Sequence, residues 1–304
     1  MFSIQRALKN PRIMSALTGV TNKEFHELLL EFERIWKISK RTQHNSGENI
    51  RAIGAGRKGF LRSTEEKLFY ILFYYKCYPT YDLLAFIYDC NRSNACRRQF
   101  ELSKILEKTL GRKLVLPERR MRRIEEFFQA FPEAREIFID GTERPTQRPK
   151  DSKKQKENYS GKKKKHTRKN IIMTDKKKRI GFLSKTQGGC NHDFTMLKKY
   201  ANPNHMPEKI KKHLDLGFKG FQKQFPGHKV SMPKRKPRTK DLTEFSKEQN
   251  KKKSSIRVLI ENAIAGIKRL RIVTDTFRNK KKNFDDQAML ISCGLWNYHL
   301  SVKC

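Results

Sequence analysis

The sequence predicts an all-helical N-terminal part followed by an α+β or α/β layer, and three observations lead there. Over roughly the first 130 residues, apolar side chains recur at helical spacing. From Arg135 the pattern changes to short apolar runs separated by turns. From about Ser254 the helical spacing returns, so that helices flank the strands. The length of 304 residues suits about two domains. Residues 1–55 are expected as an N-terminal helical segment, 56–130 as a compact helical domain and 131–304 as the α/β domain.

Residues 21–40 place Phe25, Leu28, Leu29, Phe32 and Ile35 with Trp36 on one helical face. Gly54, Gly56 and Gly59 mark a basic linker. Ser63-x-x-Glu66 is a capping box that opens the apolar run Leu68–Tyr75, and Pro79 stops that helix. A short helix from Tyr81 to Tyr88 follows, then a turn at Asp89-Cys90-Asn91 and a third helix from about Arg92 to Leu110. Gly111 and Pro117 close the unit. Helix, short helix, turn and helix suit a helix-turn-helix module whose last helix enters a major groove. An ordinary three-helix bundle with a basic face has the same spacing. Arg92, Asn94, Arg97 and Arg98 head the last helix, where they suit phosphates and base edges.

Glu136–Asp140 reads as a strand that ends at an acid before Gly141-Thr142. Asn170–Thr174 and Ile180–Leu183 form two more strands around a hairpin at Asp175-Lys176-Lys177-Lys178. Phe194–Tyr200 is a short helix, His213–Gly217 ends a fourth strand and Lys229–Met232 makes a fifth. A lysine-rich stretch, 234–253, leads into a helix from Ser254 to about Arg271. The last helix, Asp285–Tyr298, has an apolar face of Met289, Ile291, Leu295 and Trp296.

Charge narrows the partners. Lys and Arg number 69 against 31 Asp and Glu, a formal charge of +38. Self-repulsion on that scale favours a polyanionic partner, and nucleic acid is the first to expect. Residues 1–130 carry a net +11 and residues 131–304 a net +27. From Arg144 to Arg179 there are sixteen basic residues against three acids, with Lys162, Lys163, Lys164 and Lys165 in a row. A solvated, partly disordered loop and a phosphate-binding arm both fit that composition. No window approaches ~18 apolar residues, so no membrane span is expected, and the N-terminus lacks the apolar core of a signal peptide. The six cysteines form no CxxC pair and are scattered, which predicts neither a zinc site nor a disulfide framework but a reduced, cytoplasmic protein.

Three acids in basic surroundings stand apart: Asp140 and Asp215, each after an apolar run, and Glu261 within a helix. Phosphodiester cleavage needs a strong nucleophile and a clamp for the charge on the phosphorane, which two Mg²⁺ ions about 4 Å apart supply. Hard cations take oxygen ligands, so carboxylates build such a site. Singly, each acid has a plainer explanation. An Asp before Gly-Thr serves turns and caps, and Glu261 has Arg257 four residues earlier as a surface partner. Arg257, Glu261 and Lys268 nevertheless share one helical face, as a metal ligand between phosphate clamps would.

At these residues the sequence resembles the DDE transposases of bacterial insertion sequences, in the superfamily-endonuclease group that includes Harbinger-type transposases. Arg57-Lys58 through Tyr78-Pro79-Thr80 to Leu114–Arg119 resembles that group's helix-turn-helix domain. Ile139–Pro145 is similar to its first catalytic motif, Tyr159–Lys163 and Asn191-His192-Asp193 to intervening motifs, Asp215–Gly220 to the second acid's motif, Arg257-x3-Glu261-x6-Lys268 to the last, and Phe284-Asp285-Asp286 to the tail. Coverage runs over about residues 50–300, in order. The resemblance implies an RNase H-like catalytic domain, a mixed five-stranded sheet flanked by helices, with Asp140, Asp215 and Glu261 as catalytic metal ligands. Related families carry a Tyr where Ser254 stands, and a turn glycine where Tyr88 or Asp89 stands. Asp193 reads as a helix N-cap, and no metal is assigned to His192-Asp193.

The function expected is a transposase. It would bind terminal inverted repeats, cleave element ends with two Mg²⁺ (Mn²⁺ able to substitute) and join them to target DNA. Arg257, Lys268 and the basic arm 144–179 would hold phosphates. A homodimer and a nucleoid-associated location follow by analogy, with no membrane partner. A catalytically inactive, transposase-derived DNA-binding protein and a basic RNA-binding protein are the alternatives.

Overall fold

The computed structural model describes residues 4–47, 59–237, 239 and 241–303. Gly54, Gly56 and Arg57-Lys58, and with them the expected boundary at 55/56, lie outside the described residues. The chain divides into two compact units. One comprises residues 1–116, 269–275 and 287–304; the other comprises 117–268 and 276–286.

The first unit begins with α1 (Ile4–Leu8), α2 (Pro11–Thr18) and α3 (Asn22–Asn45). α3 opens on a capping box between Thr21 and Glu24 and runs five residues past the expected Lys40. α4 (Thr64–Cys77) starts at the expected Ser63/Glu66 box, buries all of Leu68–Tyr75, and ends where Tyr78 turns left-handed at φ 46° before Pro79. α5 (Tyr81–Ile87) and α6 (Arg92–Arg112) complete the helix, short helix, turn, helix order. The turn between them holds Asp89 at φ 48°, a left-handed conformation that glycine adopts freely and Asp tolerates. Tyr70 donates to the Ala95 carbonyl at 2.8 Å and Tyr81 to Gln99 Oε1 at 2.8 Å, fastening α6 to α4 and α5.

The second unit opens with α7 (Ile124–Ala130) and β1 (Glu136–Pro145). Then follow α8 (Ser152–Asn158), β2 (Tyr159–Ser160), β3 (Lys165–Thr174), β4 (Ile180–Leu183) and β5 (Gln187–Gly188). α9 (Asp193–Tyr200), β6 (Lys211–His213), α10 (Phe221–Gln224), β7 (Val230–Ser231) and α11 (Glu244–Lys268) complete it. The sheet is mixed. Its path is β2-β3-β1-β6-β7, with β4 and β5 also on β3. β1 and β3, and β3 and β4, are antiparallel, whereas β1, β6 and β7 run parallel. Strands stand near all five expected places, although the fourth stops at His213 and leaves Leu214–Gly217 outside it, so the fold is the expected α+β arrangement with β2 and β5 as two-residue additions. Ile137, Ile139, Ile171, Met173, Phe194 and Leu197 pack on one side of this sheet.

Three expectations differ from the structure. Residues 144–179 are not an arm. Pairing of β1 with β3 continues from Phe138↔Thr174 out to Pro145↔Thr167, well past the apolar stretch. Strand continuation is possible because the buried cations have partners: Arg144 donates to Asn170 Oδ1 at 3.0 Å, Thr186 Oγ1 at 3.2 Å and the Asp285 carbonyl at 2.9 Å. Likewise the lysine-rich stretch before Ser254 is helical from Glu244 onward, lysine being a good helix former.

The expected three-way division also differs from the packing. Residues 4–47 and 59–116 cluster together, joined by α12 (Arg271–Thr274) and by residues 287–303 of α13 (Phe284–Lys303). Buried hydrogen bonds explain the last association: Tyr298 donates to the Glu24 carbonyl at 2.9 Å and Asn297 to the Val115 carbonyl at 2.8 Å. Among the described residues no helix is long and apolar enough to cross a membrane, and the described cysteines are free.

Candidate active site

Parallel pairing brings the two aspartates together. Phe138 on β1 is the register partner of His213 on β6. Asp140 and Asp215 each lie two residues further along, so both stand just past the point where the parallel pairing ends, Asp140 within β1 and Asp215 after β6. Asp140 Oδ1 accepts from the Gly141 amide at 2.8 Å. Asp215 Oδ1 accepts from the Gly217 amide at 2.6 Å and opens a 3₁₀ turn over Leu216–Phe218. α11 contributes Arg257, Glu261, Ile264 and Lys268 to the same cleft, of about 440 Å³, which Lys162, Lys163 and Asp193 also line. All three predicted acids therefore face one cavity, together with four of the predicted phosphate-binding cations. Lys164 and Lys165 are not among its lining residues; Lys164 sits in a turn at φ 50° and Lys165 begins β3.

Arg257 Nη2 stands 3.4 Å from Asp140 Oδ2. Arg257 thus reaches across to the strand rather than along its own helix to Glu261. Burial and the neighbouring Asp215 charge push the Asp140 carboxyl up to about 6, against the pull of Arg257. Lys268 is held below its ordinary value by partial desolvation and by Lys163, while Asp140 pulls the other way.

Among the described residues, no three His, Cys, Asp or Glu side chains form a group that could enclose a metal ion. The donor set nevertheless suits a hard cation: every acidic ligand along the cleft is a carboxylate, and the crowding that raises Asp140 is relieved by positive charge.

One acid of the cleft was expected elsewhere. Asp193 does not cap α9: His192 occupies the cap position, and the Asp193 carboxylate instead meets Lys169 Nζ at 3.1 Å. Lys169 also lies 3.1 Å from Glu143 Oε1 and donates to the Asn191 carbonyl at 2.9 Å. Glu143 and Lys169 are register partners across β1 and β3, so opposite charges directly across an antiparallel pair were the available signal.

In the helical unit, Asn94, Arg97 and Arg98 line a groove of about 1400 Å³ together with Phe60, Arg62 and Asn91. Arg97 is exposed and donates to Asn94 Oδ1 at 2.8 Å, and Arg92 pairs with Asp82 at 3.2 Å. Arg98 is drawn inward: it pairs with Glu101 and lies over the Trp36 ring at 5.9 Å.

Two family profiles match the chain. One, described as DDE superfamily endonuclease, covers residues 139–297, and the other, described as the helix-turn-helix of DDE superfamily endonuclease, covers residues 59–112. A relative named "Probable transposase for insertion sequence element IS702", from Microchaete diplosiphon, is 28% identical over 279 residues, covering 90% of this chain and 95% of the relative. No solved structure matches.

Proposed function

We propose a chemistry for this chain, which belongs to the DDE superfamily endonucleases and is a transposase of an insertion sequence: metal-dependent cleavage of DNA at the element's ends, followed by strand transfer into target DNA. Asp140, Asp215 and Glu261 would hold two Mg²⁺ ions, with Mn²⁺ able to replace them. Bound there, such ions lower the pKa of the attacking water and neutralise the charge that develops on the phosphorane.

The chain's own side chains supply the rest. Arg257, Lys268, Lys162 and Lys163 present cations to the phosphates flanking the scissile bond. Asp140 holds Arg257 in that direction before DNA arrives. In the first step water adds to phosphorus and the 3′-oxygen leaves with a proton. In the second, that freed 3′-hydroxyl attacks a target phosphodiester by the same in-line geometry, losing its proton as the target strand's own 3′-oxygen leaves with one. Arg92, Asn94 and Arg97 at the head of α6 are the contacts for the terminal inverted repeats, with Arg92 and Arg97 exposed for the purpose. Cutting two ends in concert suits a homodimer on nucleoid DNA.

The observation that carries this reading is the parallel register of β1 and β6, which aligns Asp140 with Asp215 beside Glu261 on α11. Incubating the protein with a duplex carrying the element's end tests it. Nicking in Mg²⁺, absent in EDTA and absent from Asp140→Ala, Asp215→Ala and Glu261→Ala, is expected. Binding without cleavage in any divalent metal would instead identify an inactive derivative.

A further inference from the structure

Asp193 lies against both backbone segments that carry the candidate aspartates, mid-β1 at Gly141 and the turn after β6 at Gly217. A Cβ added at Gly141 would come within 2.7 Å of Asp193 Oδ1, and one added at Gly217 within 2.7 Å of Asp193 Oδ2 and 2.8 Å of Asp215 Oδ1. Glycine is required at both places because the Asp193 carboxylate occupies the space a side chain would fill. Alternation along β1 puts Ile137, Ile139, Gly141 and Glu143 on one face and Asp140 on the other. Asp193 sits on the first face, with Ile137, Ile139 and the α9 residues Phe194 and Leu197 packed beneath it. It therefore abuts the backbone that presents Asp140 and the turn that presents Asp215, at the margin of the cleft that it also lines.

We propose that Asp193, anchored by Lys169, is a positioning residue for the ion-binding carboxylates: its carboxylate, wedged between Gly141 and Gly217, sets the spacing of the backbones that carry Asp140 and Asp215. Lys169 is suited to the task. It is almost wholly buried and is itself fixed by Glu143 at 3.1 Å and by the Asn191 carbonyl at 2.9 Å, so the Asp193 carboxylate is held from behind. A short cation-anchored chain thus runs from Glu143 on β1, through Lys169 on β3, to Asp193 at the head of α9. The sequence motif Asn191-His192-Asp193 thereby acquires a positioning role at the margin of the cleft.

This inference rests on the metal-dependent reading, and the test separates the two. Mn²⁺ alone is titrated calorimetrically into the full-length wild type and into Asp140→Asn, Asp193→Asn, Lys169→Met and Lys169→Arg, with thermal unfolding in EDTA recorded for each. Asp193→Asn keeps the shape and removes the anchor's hold; Mn²⁺ binding is expected to weaken about tenfold. Lys169→Met leaves Asp193 charged but unheld, and is expected to weaken binding as well, whereas Lys169→Arg, which can span both carboxylates, restores it. If Asp193 contributed charge alone, Lys169→Met would tighten binding instead, and that result would overturn the positioning role. So would wild-type affinity in both Asp193→Asn and Lys169→Met accompanied only by lower melting temperatures. Loss of binding confined to Asp140→Asn overturns this inference alone; no Mn²⁺ binding by the wild type overturns the metal-dependent reading and this one with it.

Discussion

Arg257 and Asp140 form an ion pair at 3.4 Å across helix and strand, both side chains less than a fifth exposed. The pair joins the first strand of the sheet to the helix that carries Glu261. It also leaves Asp140 short of full compensation, since burial and Asp215 outweigh Arg257 and the carboxyl rises to about 6.

That imbalance predicts a pH signature. Between about pH 4 and pH 6 native Asp140 keeps a proton that the unfolded chain releases, so stability falls as pH rises through this window and remains lower above it. The penalty at neutral pH is on the order of 2–3 kcal/mol. Asp140→Asn removes it and is expected to melt several degrees higher than the wild type at pH 7.5 in EDTA, the two converging below pH 4. Melting curves from pH 4 to 8 check this; a less stable variant at pH 7.5 would contradict it.

Glu261 is exposed on α11 and, among the described residues, makes no ion pair in the cleft. Glu261→Gln should therefore leave folding unchanged and terminal-repeat binding within a few-fold, while end cleavage in Mg²⁺ falls by at least about a thousandfold. Gel-based cleavage and binding assays on one preparation read both quantities.

Arg97 and Arg98 are neighbours with different duties. Exposed Arg97→Ala is expected to weaken terminal-repeat binding by about 1–3 kcal/mol with little change in melting temperature. Arg98→Ala gives up the Glu101 pair and the Trp36 contact, and should lower stability by about 1 kcal/mol before it affects recognition. Fluorescence anisotropy at two salt concentrations, alongside melting, distinguishes them.

Asp286 accepts from Arg119 Nη2 at 2.6 Å, the Thr186 amide at 2.7 Å and the Thr186 hydroxyl at 2.8 Å. Although burial pushes its carboxyl up, Arg119 and Thr186 more than offset this and hold it below the ordinary value. Its stabilisation is present above pH 4 and is lost as pH falls through the depressed native pKa. Asp286→Asn should lose about 2 kcal/mol at pH 7 by urea unfolding, and the loss should shrink in acid.

Much of this was legible in the chain. The capping box at Ser63, the apolar run Leu68–Tyr75 and the five apolar strand cores are local patterns, and local hydrogen bonding and burial decide them. The three acids were legible because their motifs are long. Composition failed where tertiary pairing overrides it. Arg144 and Lys169 lie in a basic run that reads as solvated, yet both are buried because Asn170, Glu143 and Asp193 answer them across strands. Asp193 read as a cap because its role depends on two glycines remote in sequence, Gly141 and Gly217, that leave it room. The division of the helices escaped for the same reason: Tyr298 and Asn297 choose partners near residues 24 and 115.

The most direct measurement is anomalous scattering from crystals of the protein grown or soaked in Mn²⁺ with an end duplex. Mn²⁺ peaks are expected in the cleft bounded by Asp140, Asp215 and Glu261, and are expected to be lost in Asp140→Asn. Peaks held by other side chains, with those three carboxylates uninvolved, would contradict the metal-dependent reading.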